Sequence, residues 1–534
     1  MCRIIGIIAT ISFINVIILI SIVLFKISED FFSDQEFTDP LPDHIWGAQT
    51  RKNTNDTSVK QIRITVSDDI LQILKTRLRL EASSPRLVPP LEGTKFQFGF
   101  NPFVLNHFLE HWINKYHWKD REEILNRFPQ YKMELSGIEI HFQLIKNTRS
   151  PEYRITKPLL LIHGFPSSFV EFQSLIPFLA EPQDLFLNFD LVIPSLPGFG
   201  FSEAPSKPGL GSAEVAQLLW KLMQQLEYKT FYAHGSDWGS VIVSQMAIMY
   251  PESVQAIHST MCGSLHPKSL LRMAFESLVP AITGGRIETE ILSNLWNVTL
   301  RETGFYHIQA TKPDTIGIAL GNSPSGLAAY ILEKMFVWTS LKNLEEDEDL
   351  LDIFPVNDLL DNIMVYWVTN SMTTAMRIHA QSFQGNHSFS RIPVKVPTAC
   401  LVPSNEPLFR AQTRQVKEDK YHNLTQYNEL RSLGRFLGFE KPEELSNDIL
   451  RFRYKMISIN YTPDWTNLKL IFVTEEWDLV MWRSQRLVKE EPKTSNFPFS
   501  KSSKDSLCIW CRFNWVILQG LSETNSKVMT HRAK

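Results

Sequence analysis

The stretch TFYAHGSDWGSVIVSQMAIMY, Thr230 to Tyr250, decides the fold. It opens on a short apolar run, Thr230 to Ala233, passes through Gly235-Ser236-Asp237-Trp238-Gly239, and continues as an apolar helix from Ser240 to Tyr250. A small–x–nucleophile–x–small turn at a strand-to-helix junction lifts its central side chain onto a strained bend above a sheet. The flanking glycines are needed because side chains there would collide with neighbouring backbone. The central residue is Asp237. A carboxylate is already ionised at neutral pH, so it can attack carbon without a base and leave an alkyl ester on the protein. The competing reading is that Asp237 caps the helix beginning at Trp238.

Upstream, Pro158 to Ile162 is a continuous apolar run followed by His163-Gly164-Phe165-Pro166. A turn there can aim the Phe165 amide at the same point as the Trp238 amide, and two converging amides make an oxyanion hole. Asp190 to Ile193 is a third short apolar run. Such runs are buried on both faces, and their alternation with helical stretches predicts a parallel sheet. Gly137 to Gln143 alternates instead, with Ile138, Ile140 and Phe142 opposite Glu139, His141 and Gln143, and predicts a half-buried antiparallel strand. Ser67 is placed to cap a helix carrying Ile70, Leu71, Leu74 and Leu78.

From about residue 265 to 395 the pattern is helical and Trp-rich, and the strand signature returns at Val396 to Val402. A helical insertion in a strand–helix series predicts a lid over the carboxyl edge of the sheet. Ile4 to Phe25 is an uncharged apolar run. At 1.5 Å per residue it spans about 33 Å, enough for a bilayer core of about 30 Å. It is read as a retained anchor rather than a cleaved signal, because Lys26-Ile27-Ser28-Glu29 replaces a small-residue cleavage site. Arg3 and Lys26 on its two flanks leave the orientation open. Sequons at Asn55, Asn297, Asn386, Asn423 and Asn460 would be acceptors only on a lumenal side.

The 54 basic and 57 acidic side chains leave a net charge of −3, so no phosphate-neutralising field exists for a nucleic-acid partner. The 13 Trp, 13 Tyr and 35 Phe supply ample core material and exclude disorder as the main state. Five Cys in 534 residues imply no disulfide scaffold.

Together, these motifs resemble the microsomal-type epoxide hydrolases, the membrane-anchored group that includes the juvenile hormone epoxide hydrolases. The resemblance spans about residues 27–450. It rests on Pro89-Pro-Leu-Glu-Gly93, Phe98-Gly-Phe-Asn101, Glu123 to Pro129, the H-G-F-P turn, Pro197 to Ala204, the Asp237 elbow, His307-Ile-Gln with Thr311 to Thr315, and Gly326 to Lys334. It implies an α/β-hydrolase with a helical lid, an N-terminal extension and a single N-terminal transmembrane helix. The expected segments are an anchor at 4–25, an extension at 27–150 beginning with a polar linker to about 60, core at 151–264, lid at 265–395, core at 396–453 and a divergent tail at 454–534.

In that family an Asp attacks the epoxide, Tyr acids protonate its oxygen, and a His–carboxylate pair activates water to cleave the ester. No metal or organic cofactor is involved, and the location is the endoplasmic reticulum membrane. Carried onto this chain, Asp237 is the nucleophile, and Phe165 and Trp238 supply the oxyanion amides. Glu406, in Ser404-Asn405-Glu406-Pro407, stands where the acidic partner belongs, with a solvated loop carboxylate as the alternative. The first Tyr is displaced, since Phe305 follows Gly304 and Tyr306 comes one residue later, a rotation of about 100° on a helix. At the second Tyr stands His379, readable as a proton donor or as an ordinary lid histidine.

The base is the gravest departure. Leu433-Gly434-Arg435-Phe436 before Phe439-Glu440-Lys441-Pro442 puts Arg435 where the family has His, and a guanidinium with a pKa above about 12 cannot accept a proton. His422 and His531 sit in no matching context. The sequence therefore predicts opening of lipophilic epoxides with impaired release of the ester. The alternative is an inactive membrane-anchored binding protein for a lipophilic ligand. Haloalkane dehalogenation, which also uses an Asp nucleophile, needs the same missing His. In the tail, Cys508-Ile-Trp-Cys511 lacks the second ligand pair of a zinc site.

Overall fold

The computed structural model describes residues 31–48, 58–83, 88–147, 155–181, 187–278, 300–340, 354–385, 389–406, 409, 412–431 and 434–460. The Ile4–Phe25 run, the sequons at Asn55, Asn297 and Asn386, the C-x-x-C motif and His531 lie outside these residues. Among the described residues no helix is long and apolar enough to cross a membrane.

A nine-stranded sheet runs in the order β1-β2-β3-β5-β4-β6-β7-β8-β9. Its strands are β1 (Lys60–Ile62), β2 (Gln130–Leu135), β3 (Ile138–Ile145), β4 (Ile155–Ile162), β5 (Leu187–Pro194), β6 (Phe231–Gly235), β7 (Val254–Ser259), β8 (Thr398–Pro403) and β9 (Leu424–Leu430). β1, β2 and β3 form an antiparallel edge, and β3 joins β5 antiparallel. From β5 onward every pairing is parallel. This is the α/β-hydrolase fold, with the predicted apolar runs as its central strands. Leu159 to Ile162, Leu191 to Ile193 and Phe231 are buried on both faces of the sheet, which is why they read as unbroken hydrophobic runs.

Two local expectations change. β3 alternates as predicted, but His141 and Gln143 are buried as completely as the apolar face. Ser195 Oγ and Gln130 Oε1, each 2.9 Å away, satisfy the two ring nitrogens of His141, so the polar side lies under cover at little cost. Residues 31–48 are not a free linker: Leu41 and Trp46 are buried, and the Trp46 backbone donates to Ser136 O (2.7 Å) and accepts the Ser206 amide (3.0 Å). The helix predicted after Ser67 is Asp68–Ser83, burying Leu74 and Leu78 and leaving Ile70 exposed.

Between β7 and β8 come helices Pro267–Leu278, Gly304–Thr311, Pro313–Asn322, Pro324–Thr339, Val356–Thr369 and Met372–Gln384. Their ends are set by local chemistry. Ser323 Oγ accepts the Gly326 amide (3.0 Å) and Pro324 takes the first helical position, while Asn370 ends Val356–Thr369 in the left-handed region. A disulfide joins Cys262, just past β7, to Cys400 in β8. No sequence signal marks this pairing, because it exists only once β7 and β8 lie side by side.

Candidate active site

Four segments at the carboxyl ends of parallel strands converge: the turn after β4, the elbow after β6, the loop after β8 and the loop after β9. Asp237 stands on the elbow with φ 48° and ψ −121°, a conformation that a non-glycine residue holds only when its surroundings enforce it. They do so by close approach. A Cβ at Gly239 would lie 2.0 Å from Ile162 O, and one at Gly235 2.2 Å from Gly239 C. The Asp237 side chain makes no capping bond to its helix. It turns the other way, and its Oδ1 accepts the Phe165 amide at 2.9 Å, while the nearby Trp238 amide helps to lower the carboxylate pKa. His163 steadies the Phe165 turn by accepting the Leu196 amide at Nε2 (3.2 Å) and bonding Gly164 O through Nδ1 (3.0 Å).

The other carboxylate oxygen is taken by Arg435. Its Nη1 donates to Asp237 Oδ2 at 3.1 Å and its Nη2 to Glu406 Oε1 at 2.5 Å. All three residues are buried. Glu406 also accepts the Phe409 amide at 2.5 Å, so it is a structured partner and not a solvated loop carboxylate. The Trp338 ring lies against the guanidinium, 4.1 Å from its carbon to the ring centre, a cation–π contact strengthened by the burial of both groups. Burial raises the Asp237 pKa. Arg435 and the two amides pull it back down, and the Glu406 charge adds to the rise.

The loop carrying Arg435 is gripped by Glu440, whose carboxylate accepts the amides of Gly434 (2.7 Å) and Phe436 (3.0 Å). The Arg435 amide in turn bonds Trp338 O (3.2 Å). Behind the elbow lies Glu171, fully buried, accepting from Ser236 Oγ (2.9 Å) and Ser167 Oγ (2.5 Å). Burial pushes both Glu171 and Glu440 up to about 7. Sequence reasoning assigned nothing to Glu171, Trp338 or Tyr366. The only trace of Glu171 was a lone acid inside the apolar stretch Phe169–Phe172. Tyr366, whose hydroxyl donates to Ser167 O at 2.6 Å, left none.

The remaining predicted residues come from the helical insertion. His379 Nε2 accepts from the Trp238 indole at 3.1 Å, and its Nδ1 faces Met376 O at 3.3 Å. An indole N–H can only donate, so the ring is neutral with its single proton on Nδ1, turned to the helix backbone. Burial lowers its pKa to about 3. The histidinium considered from sequence is therefore not formed at neutral pH. Tyr306 is about one-third exposed. Its ring lies 5.3 Å from His379 and 6.5 Å from the Trp238 ring, and its hydroxyl has no hydrogen-bond partner among the described residues. Nearby Asp237 and burial both raise its pKa. Phe305 takes the inner position, stacked on Phe165 at 6.5 Å and edge-on to Trp338 at 4.8 Å.

This geometry matches known proteins along most of its length. The family described as "Epoxide hydrolase N terminus" matches residues 59–172, and "alpha/beta hydrolase fold" matches residues 157–281. Juvenile hormone epoxide hydrolase 2 of Ctenocephalides felis is 38% identical over 446 residues, covering 81% of this chain and 94% of the relative. The chain belongs to the epoxide hydrolase family. Epoxide hydrolase 1 of Oryctolagus cuniculus is 36% identical over 454 residues, 82% of this chain and 98% of the relative. The crystal structure of juvenile hormone epoxide hydrolase from the silkworm Bombyx mori superposes with a TM-score of 0.75 at 36% identity, covering 78% of this chain and 99% of that one. In this epoxide hydrolase chain, therefore, a guanidinium lies between Asp237 and Glu406.

Proposed function

We propose that this epoxide hydrolase homologue opens lipophilic epoxides at Asp237 and then holds the product as a long-lived ester. The juvenile hormone names of its relatives, together with the aromatic lining of Phe165, Phe305 and Trp338, support a lipophilic substrate. Asp237 Oδ2 attacks an epoxide carbon while the carbon–oxygen bond breaks. The alkoxide takes the Tyr306 proton, and solvent reprotonates the phenolate through the exposed side of that ring. Arg435 occupies one side of Oδ2, and a carboxylate oxygen has a second lone pair for the new bond. Oδ1 becomes the ester carbonyl, already held by the Phe165 amide, which together with the neighbouring Trp238 amide would stabilise a tetrahedral intermediate.

Hydrolysis then requires a base to take a proton from water, a contribution typically of about 10²–10⁴-fold. The observation that carries the reading is Arg435 bridging Asp237 and Glu406: the place of the base is filled by a group that cannot accept a proton. In this reading the insertion acts as a lid and the 27–150 segment as an extension packed on the core. The Ile4–Phe25 run anchors the chain to the membrane of the endoplasmic reticulum.

The test is intact-mass analysis after mixing the purified chain with excess lipophilic epoxide. The expected result is a single adduct equal to the whole epoxide mass, persistent in the wild type and missing in Asp237→Ala. Steady multi-turnover diol formation overturns the stall. Retained ligand binding without an adduct overturns the covalent step and favours the binding-protein reading.

A further inference from the structure

The turn that carries the Phe165 amide is fixed from two sides. On one side it lies directly against the elbow, since a Cβ at Gly164 would fall 2.4 Å from the Asp237 side chain. The other side is held by one helix of the insertion, Val356–Thr369. Asn362 Nδ2 donates to Pro166 O at 2.7 Å, and Asn362 Oδ1 accepts from Ser168 Oγ at 2.7 Å. One helical turn later the Tyr366 hydroxyl donates to Ser167 O, and the Tyr366 ring meets Phe165 edge-on at 6.4 Å. Residues four apart share a helix face, so one face binds the two consecutive carbonyls that follow Phe165. Both side chains are fully buried, where a polar group is tolerated only when its bonds are made.

The helix is itself anchored. Asp358 and Asp361 stand on the adjoining strip of its surface and bind Arg121 of helix Trp118–Leu125, whose Nη2 reaches Asp358 Oδ1 at 2.8 Å and Asp361 Oδ2 at 2.6 Å. The Tyr116 hydroxyl donates to Asp361 Oδ1 at 2.7 Å. A satisfied buried network of this kind rigidifies the elements it joins, so the face that grips the turn is a fixed support.

We propose that Asn362 and Tyr366 are positioning residues for the chemistry at Asp237. They act through the backbone of Pro166 to Ser168, which aims the Phe165 amide at Asp237 Oδ1 and so leaves Oδ2 as the oxygen that attacks. In the ester of the covalent reading above, on which this proposal rests for that step, the same amide bonds the ester carbonyl. Without the grip the turn can only back away from the elbow, because Gly164 already touches Asp237 on the near side. A misplacement of about 1 Å at a reacting group can cost about 10²-fold in rate.

The experiment compares the full wild-type chain with Asn362→Leu, which removes both bonds at similar size, and Tyr366→Phe, which removes one hydroxyl and keeps the ring. Styrene oxide is the probe. Three quantities are read: the limiting rate and half-saturating concentration of adduct formation, the ester carbonyl stretch in chains labelled with carbon-13 at the Asp side chains, and backbone hydrogen exchange at Gly164 to Ser168 without ligand. Both variants should lose about tenfold to 10²-fold in limiting rate with the half-saturating concentration nearly unchanged. Their carbonyl stretch should move to higher wavenumber as the Phe165 bond is lost. Exchange at the turn should rise while exchange in β4 stays as in wild type. A merely structural role would raise exchange throughout and leave the stretch where it was, and that result overturns the proposal. Folded variants with rate, stretch and exchange all unchanged overturn it too. If Asn362→Leu does not fold, Tyr366→Phe decides alone. A wild type that forms no adduct overturns the covalent reading instead, and exchange in the ligand-free chain then decides the positioning role by itself.

Discussion

Arg435 Nη1 lies 3.1 Å from Asp237 Oδ2, on the oxygen that points away from the Phe165 amide. The same guanidinium reaches Glu406, so the two acids that a neutral imidazole would link are linked by a permanent cation. Each contact is favourable, and in the proposed reading the bridge stands where a base would take a proton from water.

Replacing the cation by a base should restart the stalled step. Arg435→His is expected to raise diol formation from lipophilic epoxides by about 10²–10⁴-fold over wild type, measured by product chromatography. Arg435→Gln clears the cation without supplying a base and should give no such gain. Equal turnover in both variants would sink the account.

Ring opening should depend on Tyr306 and hardly at all on His379. Tyr306→Phe is expected to slow adduct formation by about 10²-fold or more, followed by intact mass against time. His379→Gln keeps an acceptor for the Trp238 indole and should change the rate by less than about tenfold. The opposite ranking would transfer the donor role to His379.

Glu406→Ala removes one of two carboxylates from a buried guanidinium. Breaking a buried ion pair costs up to about 3–5 kcal/mol when the remaining charge has no other partner; Asp237 still faces this one, so the denaturant midpoint followed by Trp fluorescence should fall, by less than that full cost. A loss within about 1 kcal/mol is what an exposed pair gives and would show that Glu406 is not a buried partner of Arg435.

Glu171 makes stability depend on pH. Its pKa rises by burial from 4.5 to about 7 in the folded chain. Below 4.5 both states hold the proton; between 4.5 and about 7 only the folded state does. Stability therefore falls as pH rises through that window, by about 3 kcal/mol from this group. Glu171→Gln should flatten that part of the profile in unfolding experiments from pH 4 to 8. An unchanged slope would mean that Glu171 is ionised throughout.

The elbow and the H-G-F-P turn were legible because each is a short run whose glycines and apolar flanks admit few conformations. Glu406 was legible by place alone. The bridge was not, since Asp237 and Arg435 are 198 residues apart and nothing near Arg435 in sequence marks an ion pair. Reading one strand by itself also misled. β3 shows an alternating pattern, but the partners of His141 come from β2 and from the loop after β5, which bury its polar face. The order Phe305-Tyr306 fixed a rotation on the helix, while only the packing of Phe165 and Trp338 decided which ring turned inward.

Glu440 grips the chain through the backbone amides before and after position 435, with no bond to the side chain between them. That backbone grip is the same whichever side chain stands at position 435. In the proposed reading, keeping an ester and releasing it would thus be two side chains on one and the same loop.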